Sequence, residues 1–294
     1  MQSKNVLAEK AVLVDLNISA LQARKYDKQV TAEIHDAKHA DRDSGRYNKR
    51  LLPGEALAGI TSVVNEARTY HLTHTQPWSS EGPRVLPVTL YAKYAETMRG
   101  FRQAFAAAVE QFVGLYPDYV EQAERRMNGL FKATDYPHVS QIGNKFDFDV
   151  SVMPMPTADD FRVALADDEA AAIRADVERR MEGVLKTGTQ DSAARILEVV
   201  GRMSERLKGY KPATERAKAE NVFRDSLVAN VSDLVELLPA FNMTGDAKFD
   251  ELIARMKKDL CSYDAETLRS DDNIRDAVAS RADAILGTVS DFLA

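Results

Sequence analysis

Tyr91, Tyr94, Met98, Phe101, Phe105, Val109, Phe112 and Tyr116 recur at steps of three and four residues, the period of one face of an α-helix. So large an aromatic face has to be buried, which commits the chain to a core built around a long helix. The stripe reads as core packing and not as a cofactor site, and Pro117 is expected to end the helix because proline supplies no N–H to continue it. Further stripes follow: Ile173, Val177, Met181 and Val184, then Ile196, Val199, Val200 and Met203, with Gly183 and Gly188 as expected breaks. Phe223, Leu227, Val231, Leu234 and Leu238 precede Pro239, Phe249, Leu252, Ile253 and Met256 form a short stripe, and Ile274, Val278, Ile285, Val289 and Phe292 form the last. From about residue 158 onward the pattern is helical throughout.

Strand patterns occur twice. Val12, Val14, Leu16 and Ile18 alternate with Leu13, Asp15, Asn17 and Ser19, and Phe146, Phe148, Val150 and Val152 alternate with Asp147, Asp149, Ser151 and Met153. Pro154 and Pro156 close the second segment. Two lone strands are marginal apart, so 12–18 is expected to pair with 146–152. The expected fold is mostly α with a small β element: an N-terminal α+β region over 1–157 and an all-helical region over 158–294.

With 294 residues, 45% hydrophobic and 29% charged, the chain has the composition of an ordinary globular protein. No apolar run approaches the roughly 20 residues of a membrane span, and no repeat of solenoid length occurs. The start MQSKNVLAEK lacks the apolar stretch of a secretory signal and Cys261 is the lone cysteine, so a cytoplasmic location without disulfides is expected. The net charge of -6 is unevenly spread: residues 1–150 carry 19 Lys/Arg against 18 Asp/Glu, whereas 151–294 carry 20 against 27.

The segment 22–50 holds eight Lys/Arg and five Asp/Glu but few apolar residues beyond Val30 and Ile34. It reads as a polar helix in which Lys38, Arg42, Arg46 and Arg50 follow at four-residue steps, beside Tyr47 and Lys49. Such a stripe can contact a phosphate backbone; with Asp36, Asp41 and Asp43 among the cations it can equally be a solvated face. Burying Val30 and Ile34 against a second copy is a further expectation, making the chain a homo-oligomer. Thr73 to Pro87, THTQPWSSEGPRVLP, contains the only tryptophan, three prolines and a glycine, and is expected to be an ordered loop. Trp78 there is either a core anchor, a stacking surface for a base or an anchor for a protein partner, with Arg84 as a cation–π or phosphate partner.

Catalytic signals are missing. His35 and His39 stand at i and i+4 with Asp43 beyond, and His71 and His74 form a second pair, but neither pair has a thiol or an intervening glutamate. No phosphate-binding glycine loop, dinucleotide fingerprint or serine elbow is present. Neither an enzyme, a cofactor nor a metal is expected.

Asn48-Lys49 with Leu51-Leu52-Pro53, Thr75, Pro77-Trp78, Gly82, Arg84, Leu86-Pro87, Tyr116-Pro117, Asp135-Tyr136-Pro137 and Pro154-Met155-Pro156 through Phe161-Arg162-Val163 together resemble a bacteriophage and integrative-element protein family of unknown function. The resemblance covers about residues 10 to 165. Members stand in mobile-element gene clusters beside single-strand DNA-binding proteins, annealing recombinases and exonucleases, and beside MoxR-type AAA+ ATPases with von Willebrand-type partners. It implies a setting of phage DNA replication or recombination in a bacterial cytoplasm, and it carries over no catalytic residue. With the residues above, two readings follow: a non-enzymatic protein that binds single-stranded DNA through the 38–50 stripe and the Trp78/Arg84 loop, or a scaffold or client of an AAA+ ATPase that docks through its charged first helix and acidic helical half.

Overall fold

A computed structural model describes residues 6–79, 81–157, 167–213 and 218–290. The chain is mostly helical with a small sheet, as its periodicities require. In order it forms α1 (Val6–Lys10), β1 (Ala11–Ser19), β2 (Arg24–Tyr26), α2 (Lys28–Lys38), β3 (Asn48–Arg50), α3 (Ala58–His74), β4 (Gln76–Pro77) and β5 (Arg84–Pro87). Then come α4 (Val88–Met127), α5 (Val139–Ile142), β6 (Asp147–Pro154), α6 (Asp167–Gly209), α7 (Ser226–Phe241), α8 (Ala247–Leu260), α9 (Ala265–Ser270) and α10 (Asp272–Val289). Phe161-Arg162-Val163 and Phe292 lie outside the described residues.

The main sheet has the order β4-β5-β1-β6, so the expected neighbourhood of the first and last strands is present. β1 also pairs antiparallel with β5, Ala11 opposite Pro87 and Val14 opposite Arg84. The Thr73–Pro87 segment is therefore not all loop. Four-residue β5 and two-residue β4 are too short to display a period of two, and their prolines mask them further. The flanking strand and cover explain why Leu13 and Val14 are both buried, although alternation would place one of them outward.

Packing groups the chain into two compact units. One comprises Met1–Asp15, His74–Ala92 and Val152–Ala294, the other Leu16–Thr73 and Lys93–Ser151. The core of the first is helical: Ile196, Val200 and Met203 of α6 meet Leu238 of α7, Met256 of α8 and Ile285 of α10. Each is fully buried, worth roughly 1.5 to 3 kcal/mol relative to exposure. The core of the second is aromatic. Phe105 of α4 lies 5.6 Å from Phe148, and Phe112 lies 5.5 Å from Phe146, in tilted and edge-on contacts between ring centroids.

Three expected breaks are absent. α4 runs through Pro117; the stacked pair Phe112–Tyr119, 6.1 Å apart, spans the proline, and the Tyr116 hydroxyl donates to the Pro137 carbonyl at 3.1 Å. A ring contact within the helix across the proline and a tertiary hydrogen bond from the residue before it offset the lost backbone bond. α6 likewise runs through Gly183 and Gly188. Gly188 serves close approach instead of termination, because a Cβ there would lie 2.8 Å from Gln76 Oε1. Gln76 Nε2 donates to the Gly188 carbonyl at 2.9 Å and to Ser192 Oγ at 3.0 Å.

Candidate nucleic-acid interface

The segment 22–50 is not one helix. Asp27 caps the N-terminus of α2, its side chain accepting from the Val30 N–H at 3.3 Å. His39 ends it in the left-handed region, φ 51°. Beyond it Ser44 N and Oγ both donate to the Asp41 carbonyl, at 3.0 and 2.6 Å, and Gly45 follows. These turn formers bring β3 back beside β2. The antiparallel register sets Arg24 opposite Arg50, Lys25 opposite Lys49 and Tyr26 opposite Asn48. The four-residue cation stripe is consequently dispersed: Lys38 ends the helix, Arg42 and Arg46 ride the loop, and Arg50 lies on a strand.

Side chains alternate across a strand, and this two-stranded ribbon uses its two faces differently. Lys25 and Lys49 turn toward acids. Lys49 is buried, with Nζ 3.0 Å from Asp27 Oδ2 and 2.5 Å from Asp135 Oδ2, and it donates to the Leu130 carbonyl at 3.1 Å. Lys25 Nζ donates to Asp135 Oδ1 at 2.7 Å. Hydrogen bonding from Lys49 holds the Asp27 carboxyl below its ordinary value. Burial opposes ionisation of Asp135, but the bonds from Lys25 and Lys49 prevail and lower it too. Burial also opposes the charge on Lys49, and its two carboxylate partners override that and raise it. Lys49, expected on the exposed stripe, is thus withdrawn from the surface as the bolt of an internal charge cluster.

The opposite face carries Arg24, Tyr26, Asn48 and Arg50, all exposed. Arg46 places its guanidinium 5.6 Å from the centre of the Tyr26 ring. Like charges directly across a ribbon repel, yet Arg24 and Arg50 face each other there. Among the described residues, no carboxylate lies within ion-pair distance of Arg24, Lys38, Arg42, Arg46 or Arg50. Asp36, Asp41 and Asp43 share the segment without neutralising these cations. Val30 is half-buried and Ile34 is 44% exposed.

Trp78 and Arg84 belong to the other unit. Trp78 is half-buried against the cluster of Leu7, Leu13, Val85 and Met155, and one edge lines a groove of about 490 Å³ with Pro156, Ile173, Val177 and Met181. Arg84 is half-buried; its Nε donates to Thr75 Oγ1 at 2.7 Å and its Nη2 to the Thr75 carbonyl at 3.2 Å. Burial draws its pKa down, Asp191 opposing and Arg195 reinforcing the effect. Its guanidinium is engaged in holding the β4–β5 turn.

Of the histidines, His35 is buried on α2, His39 is the exposed cap, and buried His71 shares a hydrogen bond of 2.7 Å with the Tyr94 hydroxyl. Among the described residues no three His, Cys, Asp or Glu side chains gather as a metal-holding group, and no helix is long and apolar enough to cross a membrane. Sequence reasoning singled out Lys38, Arg42, Arg46 and Arg50 but missed Arg24 and Tyr26. The signal available for them was Asp27, a helix cap that separates the preceding residues from the helix. No family model, curated protein or solved structure matches the chain.

Proposed function

We propose that the chain is a non-enzymatic protein that binds single-stranded nucleic acid on the β2–β3 ribbon, through Arg24, Arg46 and Arg50 around Tyr26, with Lys38 at the end of α2 and Arg42 on the loop that follows. The observation that carries this reading is the pair Arg24 and Arg50, placed opposite one another with no carboxylate partner among the described residues. A repulsive cross-strand pair is relieved when a phosphate lies between its members. Tyr26, 39% exposed, offers a ring on which a base can stack, worth about 1 to 3 kcal/mol. A stacking ring beside backbone cations suits an unpaired strand, whose bases are accessible. The sequence resemblance supplies the setting, DNA replication or recombination of a phage or mobile element.

Fluorescence anisotropy with a labelled single-stranded oligonucleotide across a salt series tests this. Three to five phosphate contacts predict that log K falls against log salt with a slope of about -2 to -3.5. Replacing Arg24, Arg46 and Arg50 by glutamine should weaken binding to all sequences alike and flatten the slope by about 2. A wild-type chain without strand affinity, or a triple variant that binds like wild type, overturns the reading and favours the AAA+ scaffold or client instead.

A further inference from the structure

His35 keeps only 7% of its surface exposed, yet no group among the described residues hydrogen-bonds its imidazole, and its ring nitrogens are not sealed from solvent. Buried polar side chains ordinarily have partners. The opening lies in a pocket of about 300 Å³ between α2 and the loop that follows, whose lining includes Thr31, His35, Lys38, Gly45, Arg46 and Tyr47. The Thr31 hydroxyl is already satisfied: it donates to the Asp27 carbonyl at 2.7 Å and accepts from the Tyr47 N–H at 3.0 Å. No carboxylate lines the pocket. Ser44 Oγ is engaged with the Asp41 carbonyl, so the lining polar side chains without a hydrogen-bond partner among the described residues are the His35 imidazole, the two cations Lys38 and Arg46, and the Tyr47 hydroxyl.

We infer that this pocket is a binding site for a phosphate monoester, the end of a nucleic-acid strand or a free nucleotide, held by the His35 imidazole and by Lys38 and Arg46. A monoester presents three terminal oxygens and up to two negative charges, matching three donors, whereas a diester within a strand presents two oxygens and one charge. Arg46 also covers Tyr26, so the pocket adjoins the ribbon face. A strand lying on that face could place its terminal phosphate here. The inference deepens the strand-binding reading and rests on it for the strand-end form of the ligand.

Oligonucleotides of one sequence, carrying a 5′-phosphate, a 3′-phosphate or hydroxyls at both ends, are titrated against the full chain. Inorganic phosphate and a nucleoside 5′-monophosphate are followed by ³¹P line broadening. One phosphorylated strand should bind at least about tenfold tighter than the hydroxyl strand, the gain expected from a charge-assisted hydrogen bond. His35→Gln and the exposed-site variant Lys38→Gln should each bring that ratio toward one, with melting recorded for both. If His35→Gln fails to fold, Lys38→Gln alone decides. Competition by the monophosphate as effective as by the strand end assigns the site to free nucleotide. Equal binding of all three strands with no broadening of the small phosphates overturns the pocket and leaves strand binding standing. Broadening that Lys38→Gln abolishes, without binding of any strand, overturns strand binding and leaves the pocket.

Discussion

Lys49 is the residue whose role changes most between pattern and structure. As part of a basic run it reads as a surface cation, yet two buried carboxylates neutralise it. Nothing local in sequence reveals this, because Asp135 lies far along the chain and only the fold brings it back. Removing one member of a buried ion cluster leaves the others uncompensated, so Lys49→Met should destabilise the protein by about 3 to 5 kcal/mol, measured by urea unfolding at neutral pH. The pH dependence has a defined sign. The carboxyls of Asp27 and Asp135 titrate below their ordinary value of 3.8 in the folded chain, so their contribution is complete above that value and is lost as pH falls through the folded values. Lys49 titrates above 10.5, so its contribution is complete below that value and is lost as pH rises through the folded one. Unfolding free energy should therefore fall at both extremes, and in Lys49→Met the acidic decline should shrink. A variant as stable as wild type would contradict the cluster's role.

Elements that repeat a clear apolar face were readable; the short polar strands were not, and neither was α3, whose apolar face is weakly patterned. The stripes of α4, α6, α7, α8 and α10 each repeat their apolar face several times, and nine-residue β1 shows its alternation directly. By contrast β2 and β3 are three polar residues each, and no periodicity can announce them. Local breakers also misled where long-range contacts override them, as at Pro117 and Gly188. The two glycines of α6 make this testable. Gly188→Ala must displace Gln76 and should cost about 1 to 3 kcal/mol, whereas a Cβ at Gly183 meets nothing within 4 Å and Gly183→Ala should gain about 0.5 to 1 kcal/mol. Thermal melts of the two variants should shift in opposite directions; equal shifts would remove the close-approach explanation. Deleting residues 1–20 removes β1 from between β5 and β6 with buried Leu13 and Val14, and should abolish the cooperative melt followed by circular dichroism.

At the scale of the molecule, the acidic balance of -6 hides a local concentration of unneutralised arginine, and a binding surface depends on the local field more than on net charge. The candidate face was half legible: the cations of 38–50 stood out in the sequence, whereas Arg24 and Tyr26 joined them only through the ribbon register. Trp78, which the sequence offered as a core anchor or a binding surface, lies in the other unit, packed on its core beside an apolar groove. Photo-crosslinking separates these two locations most directly. A single-stranded oligonucleotide carrying iodouracil is irradiated with the full chain at low salt, and the attached residue is identified by mass spectrometry. A strand lying on the ribbon predicts attachment at Tyr26 or elsewhere within residues 24–50, abolished in the Arg24, Arg46 and Arg50 triple variant. Attachment at Trp78 or within residues 167–290, persisting in that variant, would contradict it.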